Sequence, residues 1–452
     1  MDPNDPNKTV IPQPGDLDRT QIQSVSNDLN RTQVAGPPGG FSLTCRVENG
    51  ALPAGDTSRN HLLVQWRASG NANTGSRMPL NLALAIDRSG SMEGEPLQYA
   101  QRACCHIIDL LDANDVLSIV TFAEDVQVLV PARRVVNREL LKEHINRIVV
   151  GNTTDLHGGM TMAANQAASV AGSGYVNRVL LLSDGEPTVG LKDYQSITGA
   201  VEEQKSRGIT ITALGFGPDY NEELLAGIAK RSGGNYYYIT RPDLIPEVFR
   251  SELMTLMRLV ARDARLIIRP ARWNRVRQIY GHKLVFTSDA IETSISDLEQ
   301  GNAVTLLVEM DFGPRPTGEY RCAQVEVEFE STASGRVERL TADAVWKFTN
   351  DPEEVTSSAD PGVAAELEVA MAAQAIERTL MGIKTQQLDA RTAMLDLERT
   401  QQLLAAGGRL SAAADVTQAL DNLRSGDANA AGKSLIGTSL DLQRGKSGPA
   451  DE

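Results

Sequence analysis

Four cysteines in 452 residues, Cys45, Cys104, Cys105 and Cys322, are too few for a disulfide framework. Cys104 and Cys105 are adjacent on a predicted helix, so their side chains diverge and are expected as small core or surface groups. No apolar run approaches the roughly 18 residues that a membrane span needs. The first residues, Met-Asp-Pro-Asn-Asp-Pro-Asn-Lys, have neither the basic nor the apolar region of a secretory leader. Basic charge is in deficit: the net charge is −14. That removes the electrostatic footprint of a nucleic-acid binder and suits a basic protein surface or a cation. Paired metal-binding histidines, a phosphate loop and a Ser-His-Asp order with a nucleophile elbow are all missing. The chain therefore reads as a cytoplasmic protein and not as an enzyme, long enough for two or three domains.

What is present centres on Leu82-Ala83-Leu84-Ala85-Ile86-Asp87-Arg88-Ser89-Gly90-Ser91-Met92. An apolar run of strand length ends in a carboxylate, and two hydroxyls follow at a spacing of two. Alternate side chains of extended backbone point the same way, so Asp87, Ser89 and Ser91 present three oxygens to one point. Such a donor set suits a hard cation such as Mg²⁺. The same five residues also fit a helix N-cap, and the motif alone does not separate the two readings. Two later stretches add to it. Gly151-Asn152-Thr153-Thr154-Asp155-Leu156 is a polar loop before an Ala-rich helical segment, and Val179-Leu180-Leu181-Leu182-Ser183-Asp184-Gly185 is a second apolar strand ending in Asp-Gly.

Together the three stretches resemble the von Willebrand factor A (VWA) domain with its metal-ion-dependent adhesion site (MIDAS). The resemblance implies that Asp87, Ser89, Ser91, Thr154 and Asp184 surround one divalent cation, Mg²⁺ or else Mn²⁺ or Ca²⁺. Thr153 stands beside Thr154, and the Gly-x-x-Thr-Asp-Leu frame selects Thr154. The implied function is a metal-dependent protein–protein interaction scaffold of bacterial type, in which a partner's Asp or Glu completes the metal's coordination. Glu93, Glu95 and Glu186 are expected as solvated charges and Arg88 as a solvent-exposed residue at the rim. His157 is expected as a cap-region residue.

Residues 77–260 alternate strand and helix, which predicts a doubly wound, mostly parallel α/β sheet with ligands at the carboxyl ends of its strands. Residues 41–76 and 261–350 alternate apolar and polar side chains. They are read as two parts of one antiparallel β-sandwich into which the α/β domain is inserted. That arrangement resembles inter-alpha-trypsin inhibitor heavy chains and related bacterial proteins. Residues 351–362 read as a linker, 363–440 as a helical region with strong helix propensity, and 441–452 as a flexible end.

Residues 1–40 are polar and aperiodic and are expected to be a disordered tail. They contain a repeat: Asp16-Leu17-Asp18-Arg19-Thr20-Gln21-Ile22 returns as Asp28-Leu29-Asn30-Arg31-Thr32-Gln33-Val34, with a shorter relative at Lys8-Thr9-Val10-Ile11. Thr9, Thr20 and Thr32 are thus candidate phosphorylation sites. The alternative function is a signalling adaptor, with a Ser/Thr kinase, a phosphatase or a phosphothreonine-reading forkhead-associated (FHA) domain as partners. An unmodified tail fits the same residues, and the pattern recurs at Asp396–Gln401 inside a predicted helix. A further alternative makes the chain the VWA partner of an AAA+ ATPase.

Overall fold

The structure is a computed structural model that describes residues 31–35, 40–69, 77–172, 174–184, 186–217, 220–385 and 387–447. Strands β1 (Arg31–Ala35), β2 (Phe41–Val47), β3 (Ala51–Pro53) and β4 (Ser58–Ala68) open it. β1 pairs antiparallel with β2, which pairs antiparallel with β4. The expectation of a disordered tail as far as residue 40 is therefore wrong for Arg31–Ala35. β-branched Thr32 and Val34 favour extended backbone, and β2 offers an edge to pair with.

The chain then leaves the β-module for β5 (Leu80–Asp87), α1 (Glu95–Leu110), β6 (Val116–Phe122), β7 (Val126–Arg134), α2 (Arg138–Asn146) and α3 (Leu156–Ala168). It continues through β8 (Val176–Ser183), α4 (Tyr194–Ser206), β9 (Thr210–Phe216), α5 (Glu222–Ser232), β10 (Tyr236–Ile239) and α6 (Ile245–Met257). The sheet runs β10-β9-β8-β5-β6-β7 and is parallel except for the β6–β7 pair. β5 sets the layer spacing. Leu82, Leu84 and Ile86 face α1 and α6 in one core, while Ala83 and Ala85 face α3 in the other. The small residues let α3 close on the sheet: a Cβ at Gly159 would lie 2.3 Å from Phe122 Cδ1. Close docking of α3 fixes the loop before it, which carries Thr154.

The β-module resumes with β11 (Leu259–Pro270), β12 (Asn274–Ile279), β13 (Val285–Phe286), β14 (Ile291–Ser294), β15 (Leu298–Glu299), β16 (Ala303–Phe312), β17 (Gly318–Ser331) and β18 (Val337–Thr349). Its two sheets run β1-β2-β4-β16-β12 and β13-β14-β11-β17-β18-β3, antiparallel throughout these paths except where β3 joins β18. Their inner faces share one core. Phe329, from after the insertion, packs on Phe41 and Trp66, from before it, with ring centroids 4.7 and 4.9 Å apart. The α/β domain is thus an insertion in a split sandwich.

Five helices follow: α7 (Pro352–Ser357), α8 (Pro361–Lys384), α9 (Ala390–Ala406), α10 (Leu410–Arg424) and α11 (Ala428–Gln443). The expected linker is in fact α7 and the cap of α8. Asp360 accepts from Gly362 N at 2.8 Å and from Arg46 Nε at 2.9 Å, tying the helices to the sandwich. The expected flexible end is also structured through Ser447: α11 runs to Gln443, and β19 (Lys446–Ser447) pairs with β16. Val363 of α8 packs on Leu63 and Leu307, on the outer face of the sandwich. All four cysteines are free, Cys104 buried and Cys105 half-buried. Among the described residues no helix is long and apolar enough to cross a membrane.

Candidate functional site

Three loops meet at the carboxyl edge of the parallel sheet, and backbone hydrogen bonds lock them together. Arg88 N donates to Phe122 O at 3.0 Å, Gly151 N to Arg88 O at 2.6 Å, and Gly90 N to Asn152 O at 3.2 Å. The third loop joins through Thr154, whose carbonyl accepts from Thr188 N at 3.0 Å and whose N–H donates to Thr188 Oγ1 at 2.8 Å. Asp155 caps α3 through Gly158 N at 2.9 Å. Gly190, at φ +71, lies so close above it that a Cβ would come within 2.3 Å of Asp155 Oδ1.

Four of the five expected ligands form one chain of hydrogen bonds. Asp87 is fully buried, and its Oδ1 accepts from Ser89 N at 2.9 Å. Ser89 Oγ lies 3.2 Å from Ser91 Oγ, and Ser91 Oγ donates to Asp184 Oδ1 at 2.8 Å. Thr154 is buried in the adjoining loop, held through its backbone, with no hydrogen bond from its hydroxyl to the other four among the described residues.

Ser183 was missed by sequence reasoning: its hydroxyl donates to Asp87 Oδ2 at 2.7 Å and fixes the carboxylate's orientation. The Ser-Asp pair ending β8 was visible, but this use of it was not. Arg88 is a correction. It is only 7% exposed, forms an ion pair with Asp125, and its guanidinium occupies the space beside Gly151. The strand before it is buried on both faces, and Asp125 lies close enough to pull the side chain inward. It braces the loop instead of facing solvent. Glu93, Glu95 and Glu186 are exposed. His157 is half-buried, its Nε2 3.4 Å from Thr161 Oγ1 one turn along α3.

Charge makes the site unusual. Burial and then the charge of Asp87 push the Asp184 carboxyl up to about 6. Burial likewise raises Asp87, against the hydrogen bonds from Ser89 and Ser183. The two buried carboxylates have neutral hydroxyls between them, and the positive charge of Arg88, itself paired with Asp125, lowers Asp87 without offsetting its burial. Carboxylate and hydroxyl oxygens are the donors a hard divalent cation takes, so the residues fit one. Among the described residues no group of three or more His, Cys, Asp or Glu could hold a metal. An ion here must therefore rest on hydroxyls as well as carboxylates.

Thr9 and Thr20 lie outside the described residues. Thr32 is half-buried in β1, opposite Cys45 of β2, in a paired strand and not in a free tail.

Residues 81–251 match the family model of the von Willebrand factor type A domain, so the chain contains a VWA domain, and the three loops lie within it. A Synechocystis protein described as uncharacterised is 27% identical over 67% of this chain and 73% of its own length. YfbK of Escherichia coli, also uncharacterised, is 31% identical over 51% of this chain and 41% of its own. Human inter-alpha-trypsin inhibitor heavy chain H4 is 32% identical over 35% of this chain, and the match spans 18% of that protein. Among solved structures, a von Willebrand factor type A protein from Catenulispora acidiphila has a TM-score of 0.68 at 18% identity, covering 85% of this chain and 91% of that one. The ArnB paralog VWA2 from Sulfolobus acidocaldarius has a TM-score of 0.60 at 17% identity, covering 89% and 98%. The shared fold thus extends beyond the α/β domain.

Proposed function

We propose that the chain is a metal-dependent protein–protein interaction scaffold. In this reading Asp87, Ser89, Ser91, Thr154 and Asp184 hold Mg²⁺, Mn²⁺ or Ca²⁺, and the site captures an Asp or Glu from a protein partner. The observation that supports it best is the buried carboxylate pair, Asp87 and Asp184, linked through the Ser89 backbone N–H and the hydroxyls of Ser89 and Ser91, with both carboxyls raised by burial.

When bound, the ion supplies an electrophilic position that an incoming carboxylate can take. The chain's residues do the rest. Asp87 is held at both oxygens by Ser89 and Ser183, so its orientation is set before any partner arrives. The Arg88–Asp125 pair and the bonds across Gly90, Gly151 and Asn152 keep the loops at fixed separation. Hydroxyl donors add no negative charge, which leaves the site receptive to a carboxylate from outside.

The test is affinity capture with wild type and Asp87→Ala, each with and without a chelator. The expected outcome is one set of partners that disappears both on substitution and on chelation. Identical sets in all four conditions would remove the proposal.

A further inference from the structure

The α/β domain, the sandwich and the helices meet around a cavity of about 370 Å³, within the size range of small-molecule sites. Each unit supplies part of the wall: Tyr236 and Tyr237 from β10, Thr305 and Leu307 from β16, and Glu377 and Asp415 from α8 and α10. Its position is remote from the MIDAS loops in both sequence and structure, since β10 enters it through its amino-terminal residues.

Its polar groups favour a positively charged occupant. Arg409 in the wall is engaged by Glu366 at 2.9 Å. Glu377 meets the amide of Gln443, and Asp415 the hydroxyl of Thr438 at 3.3 Å; both of these partners are neutral. Both acids are exposed. Thr305 is only 8% exposed, lines the cavity, and its hydroxyl has no hydrogen-bond partner among the described residues. A hydroxyl on a cavity wall with no protein partner is free to accept a hydrogen bond from a ligand atom. Tyr236 and Tyr237 also line the cavity, and aromatic rings attract ammonium groups.

We propose that this cavity binds a small organic cation with two or more ammonium groups, of the diamine or polyamine class. One ammonium meets Glu377 and Asp415, the alkyl chain runs along the tyrosines and Leu307, and a second ammonium donates to Thr305 Oγ1. A ligand bound in this way touches all three units and fastens the helices to the rest of the chain.

The experiment is calorimetric titration of the full chain with putrescine and with spermidine at constant ionic strength. The proposal expects one saturable site for at least one of the two. The Glu377→Gln/Asp415→Asn double variant should weaken it by about tenfold or more, the scale for losing charged partners. Both acids are exposed, so this variant is expected to fold, and circular dichroism verifies that. Thr305→Val should weaken binding several-fold, and Asp87→Ala should leave it unchanged, which separates this site from the metal site. Absence of saturable binding for both probes, or equal affinity in the double variant, would overturn the proposal.

Discussion

Asp87 and Glu252 are both fully buried carboxylates of the VWA domain, yet burial leaves them in opposite electrostatic states. Glu252, on α6, meets the opposite edge of the sheet, where it accepts from Thr212 Oγ1 at 2.6 Å, Asn235 Nδ2 at 2.7 Å and Tyr237 OH at 2.8 Å. Burial raises its carboxyl, but the positive charge of Arg178 and these hydrogen bonds outweigh it and hold Glu252 below its ordinary value. At Asp87 burial outweighs the hydrogen bonds from Ser89 and Ser183 and the positive charge of Arg88, so it stays raised. The difference separates two kinds of buried acid. One is neutralised by the chain's own side chains and serves the fold. The other stays raised by burial, and in the proposed function it is the one that takes a cation.

Glu252→Ala tests the first half of this contrast and should have the largest effect. It leaves three buried donors without their acceptor and removes one of the two acids near Arg178, which keeps Asp297, and should cost about 3–5 kcal/mol in chemical denaturation while leaving metal uptake intact in the folded fraction. A loss under about 1 kcal/mol would break the contrast. The same group predicts a pH dependence. Because its folded value lies below the ordinary 4.5, its contribution is present above that pH and is lost as pH falls through the lowered value. Glu252→Gln should accordingly flatten the acid limb of the stability curve.

Ser183→Ala sharpens the second half. It removes the hydroxyl that orients Asp87 and should weaken metal binding by about 10–100-fold in titration, with little effect on unfolding. Thr154→Ala removes one neutral donor, worth about 1.5 kcal/mol or roughly tenfold in metal affinity. An unchanged affinity would take Thr154 out of the ligand set. Arg46→Ala removes the ion-pair partner of the buried Asp360, which keeps its bonds from Gly362 N and Val363 N, and should cost about 1 kcal/mol of stability and nothing in metal binding.

The contrast also explains what could be read from the sequence. Asp87 was legible because it directly follows an apolar run of strand length, and Asp184 because it closes a second such run one residue on, after Ser183. Ser89 and Ser91 followed from their spacing. Ser183, Thr188 and the inward turn of Arg88 depend on which loops meet in space, and no local pattern encodes that. The same holds for the fold. The strands of the parallel sheet are mostly apolar runs, whereas β12 places Arg275 and Arg277 on either side of Val276 and offers little apolar signal of its own. β3, β13, β14 and β15 are too short to show a period. α7 carried a signal that was misread: Asp351-Pro352 is an N-cap followed by proline at the first helical position. Glu252 was invisible as a structural acid, because its partners come from β9, β10 and the loop between α5 and β10.

The central claim is that the carboxyl edge of the VWA sheet accepts a divalent cation on Asp87 and its neighbours. Manganese titration followed by electron paramagnetic resonance measures this directly, with wild type compared to Asp87→Ala at neutral pH. The account predicts one saturable site in wild type, competed by magnesium and absent in the variant. No uptake by the wild-type chain, or equal uptake by Asp87→Ala, would contradict it.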